Sequence, residues 1–183
     1  MYKLGHLVNG TWIEHNHPRT FMLPESPAVS QRIVVGVPFG DPQVFLRLVI
    51  ALKPPILLLY VLHTPRGEGE PGRYQSPELS MDELQAFFGE FGDFLSQDGR
   101  FDLWAYSPSE KASVIWDRHN QIFAYGPLTR FESDLRELGF SQGIVNVPAP
   151  HEHHYRSEFD EMAAGVLRSF EWSYSTLRDE DEQ

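Results

Sequence analysis

At 183 residues, with 41% hydrophobic and 13% aromatic side chains, the chain suits one domain with a packed core and is too apolar for a disordered one. The absence of cysteine excludes disulfides, thiolate metal sites, iron–sulfur clusters and a cysteine nucleophile. A formal net charge of −11 disfavours nucleic acid and anionic membranes as partners, because both recruit Lys and Arg, and it suits a basic protein partner.

Residues 1–30 read as an irregular segment. Within it, Asn9-Gly10 lies between the apolar pair Leu7-Val8 and Thr11-Trp12, which predicts a small hairpin. The segment holds no apolar run of the length a secretory signal needs, which fits a cytoplasmic location. Pro18, Pro24 and Pro27 mark the connection that follows. Residues 31–37 (QRIVVGV) are rich in β-branched side chains and predict a strand.

Asp41 then offers a helix cap and Pro42 a first helical position. Val44 to Leu52 is apolar nearly all round, as a short buried helix is. Pro54-Pro55 ends it, and Ile56–Leu62 (ILLLYVL) reads as a central strand covered on both faces. The stretch 44–62 is apolar enough to resemble a membrane span, but it carries Arg47, Lys53 and both prolines. Residues 31–62 together predict a right-handed βαβ unit.

Residues 64–79 form a long loop, of the kind that serves function or moves. Gly67, Gly69 and Gly72 match G-x-G-x-x-G within it. Glu68 and Glu70 would repel a phosphate, Pro71 lacks a donor N–H, and no helix opens at that point. An acidic lid or binding loop is the better reading, flanked by Arg66, Arg73 and Tyr74 as contacts for an anionic or protein ligand.

Ser80 and Glu83 predict a capping box, and Leu84, Phe87, Phe88, Phe91, Phe94 and Leu95 follow at helical spacing. Three alternating runs at 101–107, 112–117 and 121–125 predict an antiparallel meander, with Phe101, Leu103 and Ala105 on one face and Trp104 and Tyr106 on the other. Leu128, Phe131, Leu135 and Leu138 predict a third helix stopped by Gly139. Residues 144–147 suggest a short strand. A last helix is expected from Ser157 towards Leu177, before a frayed acidic tail at 178–183. The fold class is α+β: a single domain whose mixed sheet, of about five or six strands, includes the meander at 101–125 and has helices packed on it.

Two clusters carry chemical potential. In His151-Glu152-His153-His154, an extended backbone puts His151 and His153 on one side, where they could share a divalent ion. His63, His154, Glu152, Asp117 and His119 are the other candidate ligands. The spacing matches no H-E-x-x-H signature, and a solvated loop before a helix is the competing reading. In Asp117-Arg118-His119-Asn120, an Asp–His pair makes Asp117 and His119 the catalytic candidates, and Arg118 could hold an anion. No serine elbow accompanies them, and Asp and Asn also favour plain tight turns. Trp116 belongs to an aromatic group from the meander strands, with Trp104, Tyr106, Phe123 and Tyr125, and is a binding candidate.

The leading functional expectation is a non-enzymatic acidic interaction protein without a cofactor, in style like small bacterial immunity or adaptor proteins. A metal-dependent hydrolase using the His/Asp cluster is the alternative. A domain that binds a small anion through Arg66, Arg73 or Arg118 is a further one. The leading expectation supposes that the ionisable groups are spread over the outside of the fold rather than gathered at one point.

Overall fold

A computed structural model describes residues 1–23 and 31–181. Pro24 and Pro27, expected in the irregular connection, lie outside the described residues. The predicted hairpin is present. β1 (Leu4–Val8) and β2 (Thr11–Glu14) are joined by Asn9 and Gly10, whose φ angles of 50° and 80° are the left-handed pair that a two-residue hairpin turn requires.

Most of the remaining strands join one nine-stranded sheet. In chain order they are β3 (Thr20–Met22), β4 (Arg32–Gly36), β5 (Leu57–Leu62), β6 (Gly72–Gln75), β7 (Phe101–Ser107), β8 (Ala112–Trp116), β9 (Gln121–Tyr125), β10 (Ser141–Gln142) and β12 (Ser173–Ser175). Their spatial order is β10-β3-β4-β9-β8-β7-β5-β6-β12. The β10–β3 pair is parallel and the rest are antiparallel, so the sheet is mixed. β11 (His151–His153) leaves this sheet and pairs with β1, which makes a three-stranded sheet of order β11-β1-β2.

The α+β class holds, with more strands than the five or six expected. The additional ones are short edge pieces of two to four residues, β3, β6, β10 and β12. Two further expectations change. β4 and β5 run parallel in one sheet, through four antiparallel steps, with α1 between them in the chain, but β9, β8 and β7 stand between the two strands, so 31–62 is not a unit of neighbouring strands. Residues 144–147 form no strand; β10 and β11 lie on either side of them.

The helices are α1 (Pro42–Ile50), α2 (Met81–Gln97), α3 (Leu128–Glu137) and α4 (Asp160–Arg168). Asp41 caps α1 by accepting from Gln43 N at 3.0 Å, and Ser80 with Glu83 forms the capping box of α2. α1 packs on α2 and α3, and α2 on α4. This layer covers one face of the sheet, where Ile33, Val35, Leu58, Tyr60, Leu103 and Trp116 are buried. The alternate residues Val34, Leu57, Leu59, Trp104, Ile115 and Phe123 are half-buried on the other face.

α4 is shorter than the expected helix. The Trp172 indole donates to the Val166 carbonyl at 2.9 Å, and Ser173–Ser175 turns away to pair with β6. The acidic end is docked as far as Asp181, which is buried and ion-paired with Arg73. No helix among the described residues is long and apolar enough to cross a membrane.

Candidate metal centre

β11 lies antiparallel to β1, with His151 opposite His6 and His153 opposite Leu4. Strand alternation therefore places His151, His153 and His6 on one face of the small sheet. The turn between β8 and β9 brings His119 to that face. Its ring centroid lies 5.1 Å from that of His151 and 4.7 Å from that of His153. One ligand nitrogen from each of His119, His151 and His153 falls within 4.8 Å of the others. Three imidazoles thus converge, where the leading sequence expectation spread the ionisable groups apart.

Asp117 organises the turn that carries His119. Its Oδ1 accepts from His119 N at 3.0 Å and Gln121 N at 2.8 Å, and its Oδ2 accepts from His119 Nδ1 at 2.8 Å. Asn120 takes the left-handed φ of 57° that closes the turn. Because a carboxylate only accepts, Nδ1 of His119 carries the proton and Nε2 keeps the lone pair. His151 is set the same way, donating Nδ1–H to the Pro148 carbonyl at 3.1 Å. Such outer partners fix the tautomer and raise ligand basicity in metal sites. His153 Nδ1 is buried without a hydrogen-bond partner. Burial, reinforced by His119, Arg118, His151 and Lys3, pulls the His153 pKa down to about 3, so the ring is neutral at pH 7, as a metal ligand must be.

The cluster extends to three histidines that sequence reasoning missed. His6, His15 and His17 follow one another edge-on, with centroids 5.3 Å and 4.5 Å apart. Burial together with His17, His6 and His151 lowers the His15 pKa to about 4, and burial also lowers that of His17. The available signal was His15-x-His17, the same spacing as His151-x-His153.

The remaining candidates lie elsewhere. His63 Nε2 is 3.0 Å from Asp102 Oδ2, whose Oδ1 accepts from the Arg118 backbone N–H at 2.8 Å. His154 sits edge-on to Tyr2 and its Nε2 lies 3.3 Å from Glu152 Oε1, away from the three converging rings. Trp116 is in the core against Phe45, with the Lys3 ammonium 4.3 Å from its ring centre, and is not a surface group.

The segment 64–79, expected as one long loop, contains strand β6 at Gly72–Gln75, and its remaining part is fastened inward rather than free. The Glu68 side chain is buried and binds Arg100 at 3.0 Å, and Arg100 also holds Asp98 at 2.8 Å and Asp160 at 3.1 Å. Arg66 pairs with Asp160 at 3.0 Å, Arg73 pairs with Asp181, and the Tyr74 hydroxyl donates to the Glu70 carbonyl at 2.7 Å. The three contact residues proposed for that loop are thus engaged within the fold.

Comparison with protein-family models, curated proteins and solved structures finds no match to this chain.

Proposed function

We propose that this protein is a metal-dependent hydrolase in which His119, His151 and His153 hold a divalent transition ion. The convergence of their three ligand nitrogens carries the reading. Imidazole donors suit zinc and its neighbours rather than magnesium or calcium, which take oxygen. Three histidine ligands would leave a further position on such an ion for water, and His151 is the solvent-exposed residue of the three. A zinc ion, if held by these three residues, would supply Lewis-acid chemistry and would acidify a bound water. Asp117 keeps the His119 lone pair on Nε2 for the ion, and the Pro148 carbonyl does the same for His151. Metal analysis of the full chain purified without a histidine tag tests the reading. Bound zinc, manganese or iron, together with a rise in melting temperature on adding the ion, is expected. No metal and no stabilisation would remove it.

A second reading, an acidic interaction protein of the adaptor or immunity kind, draws support from the sheet face that the helices do not cover. There Leu57, Leu59, Trp104 and Tyr106 line a shallow apolar cavity of about 220 Å³, and such aromatic surface is typical of protein interfaces. Affinity capture that recovers no protein partner counts against this reading.

A further inference from the structure

We propose that a cavity beside the histidine cluster binds a small, neutral, polyhydroxylated compound of monosaccharide size. The cavity has a volume of about 220 Å³, and Tyr2, Lys3, Glu14, His15, Phe39 and Asn120 are among its walls. None of His119, His151 and His153 lines it, so the inference does not depend on the proposed ion. Its volume is below the roughly 300 Å³ at which cavities for drug-sized ligands begin.

Two buried polar atoms on residues of its walls lack a partner. Asn120 is 5% exposed and its Oδ1 has no hydrogen-bond partner, and neither has Nε2 of His15. Burying such groups unpaired costs stability, and apolar side chains would line an empty cavity without that cost. Asn120 Oδ1 only accepts, so it calls for a donor. Lys3, 1% exposed, uses one ammonium N–H on the Leu95 carbonyl and has two more, so it calls for an acceptor. Burial lowers the His15 pKa to about 4, so that ring is neutral at pH 7 and needs no counter-ion. A cationic ligand would meet Lys3, and an anionic one would meet Glu14 at the exposed rim of a chain with net charge −11. Hydroxyl groups satisfy both needs, because each donates and accepts without carrying charge.

Phe39 supplies a second, independent observation. It is 70% exposed, more than any other described aromatic side chain, and its φ of 54° is one that a bulky residue rarely adopts. Its backbone N–H donates to Asn16 Oδ1 at 2.6 Å, which holds it in that conformation. A ring so exposed contributes little to packing. At the mouth of a polar cavity it offers a flat, electron-rich face to the C–H groups of a sugar ring, a use that accounts for keeping the strain.

Titration calorimetry of the full chain with D-glucose, D-galactose, D-mannose and myo-inositol tests this. At least one of these compounds is expected to bind saturably, one per chain, while acetate and ethanolamine are expected not to bind. Asn120→Gly removes the amide, permits the φ of 57° at that position, and is expected to weaken binding about tenfold. Phe39→Gly is expected to weaken binding while leaving the melting temperature unchanged or raised, because glycine adopts the same φ without strain. No binding by any of the four compounds overturns the proposal, and so does unchanged affinity in either variant. Metal content is measured on the same protein. Sugar binding without metal supports the cavity and counts against the ion, and zinc without sugar binding overturns the cavity alone.

Discussion

Asp117 accepts the Nδ1 proton of His119 at 2.8 Å while its other oxygen closes the β8–β9 turn through two backbone N–H groups. One carboxylate thus sets the shape of the turn and the tautomer of the histidine it presents. Asp117→Asn keeps the size of the group but weakens its hold on the Nδ1 proton. It is expected to lower zinc affinity about 10–100-fold, the usual effect of losing an outer partner of a metal ligand. Competition against a chromophoric chelator measures this. Unchanged affinity would show that His119 needs no orienting group.

Arg100 is fully buried and is the hub of the loop at 64–79, with Asp98, Glu68 and Asp160 all on its guanidinium and the Arg156 carbonyl accepting as well. Removing one member of a buried charged network costs about 3–5 kcal/mol, because its partners stay buried and unpaired. Arg100→Met is expected to lose stability on that scale in urea denaturation. Arg66→Met, at the solvent edge of the same network, should change stability by under about 1 kcal/mol. Equal effects of the two would mean that the network is not centred on Arg100.

Gly36 shows how closely the main chain must approach a histidine of the cluster. A Cβ there would meet Cβ of His17 at 2.8 Å and Cγ at 3.0 Å. These atoms are the root of the side chain, so rotation cannot relieve the clash. Gly36→Ala is expected to cost about 1–3 kcal/mol in thermal or urea unfolding, as overpacking of a filled interior does. A neutral effect would show that β4 and the segment holding His17 separate easily.

The meander and α2 were legible because each repeats a local period over many residues. Phe101, Leu103 and Ala105 alternate with Trp104 and Tyr106, and the Phe87–Phe94 stripe follows a capping box. β3, β6, β10 and β12 hold two to four residues each and include polar groups such as Ser141, Gln142, Ser173 and Ser175. Their place is set by pairing with distant strands, and no local pattern records that. The metal centre divided in the same way. The shared side of His151 and His153 follows from strand alternation, and the Asp117–His119 pair from proximity in the chain. That β11 would lie on β1, and that the chain would return His15 and His17 to the same place, depends on contacts across more than a hundred residues.

Lys3 gives the clearest pH signature. It is 1% exposed, with Nζ donating to the Leu95 carbonyl at 3.3 Å and lying over the Trp116 ring. Burial lowers its pKa from 10.5 to about 8, although Asp117, Asp102 and Asp98 act in the opposite direction. Between those two values the unfolded chain binds more protons at this site than the folded one, so stability rises with pH there. Below pH 8 both states are charged and the full burial cost is present. The total gain across the window is on the order of 3 kcal/mol. Tyr60 and Tyr74, whose pKa values burial raises above 10, reverse the trend beyond pH 10, because the folded state then holds the extra protons. Urea unfolding between pH 7.5 and 10 is therefore the measurement, with stability expected to climb through that interval in the wild-type chain and to stay level in Lys3→Met. A flat profile for both would mean that the ammonium keeps its ordinary pKa inside the fold.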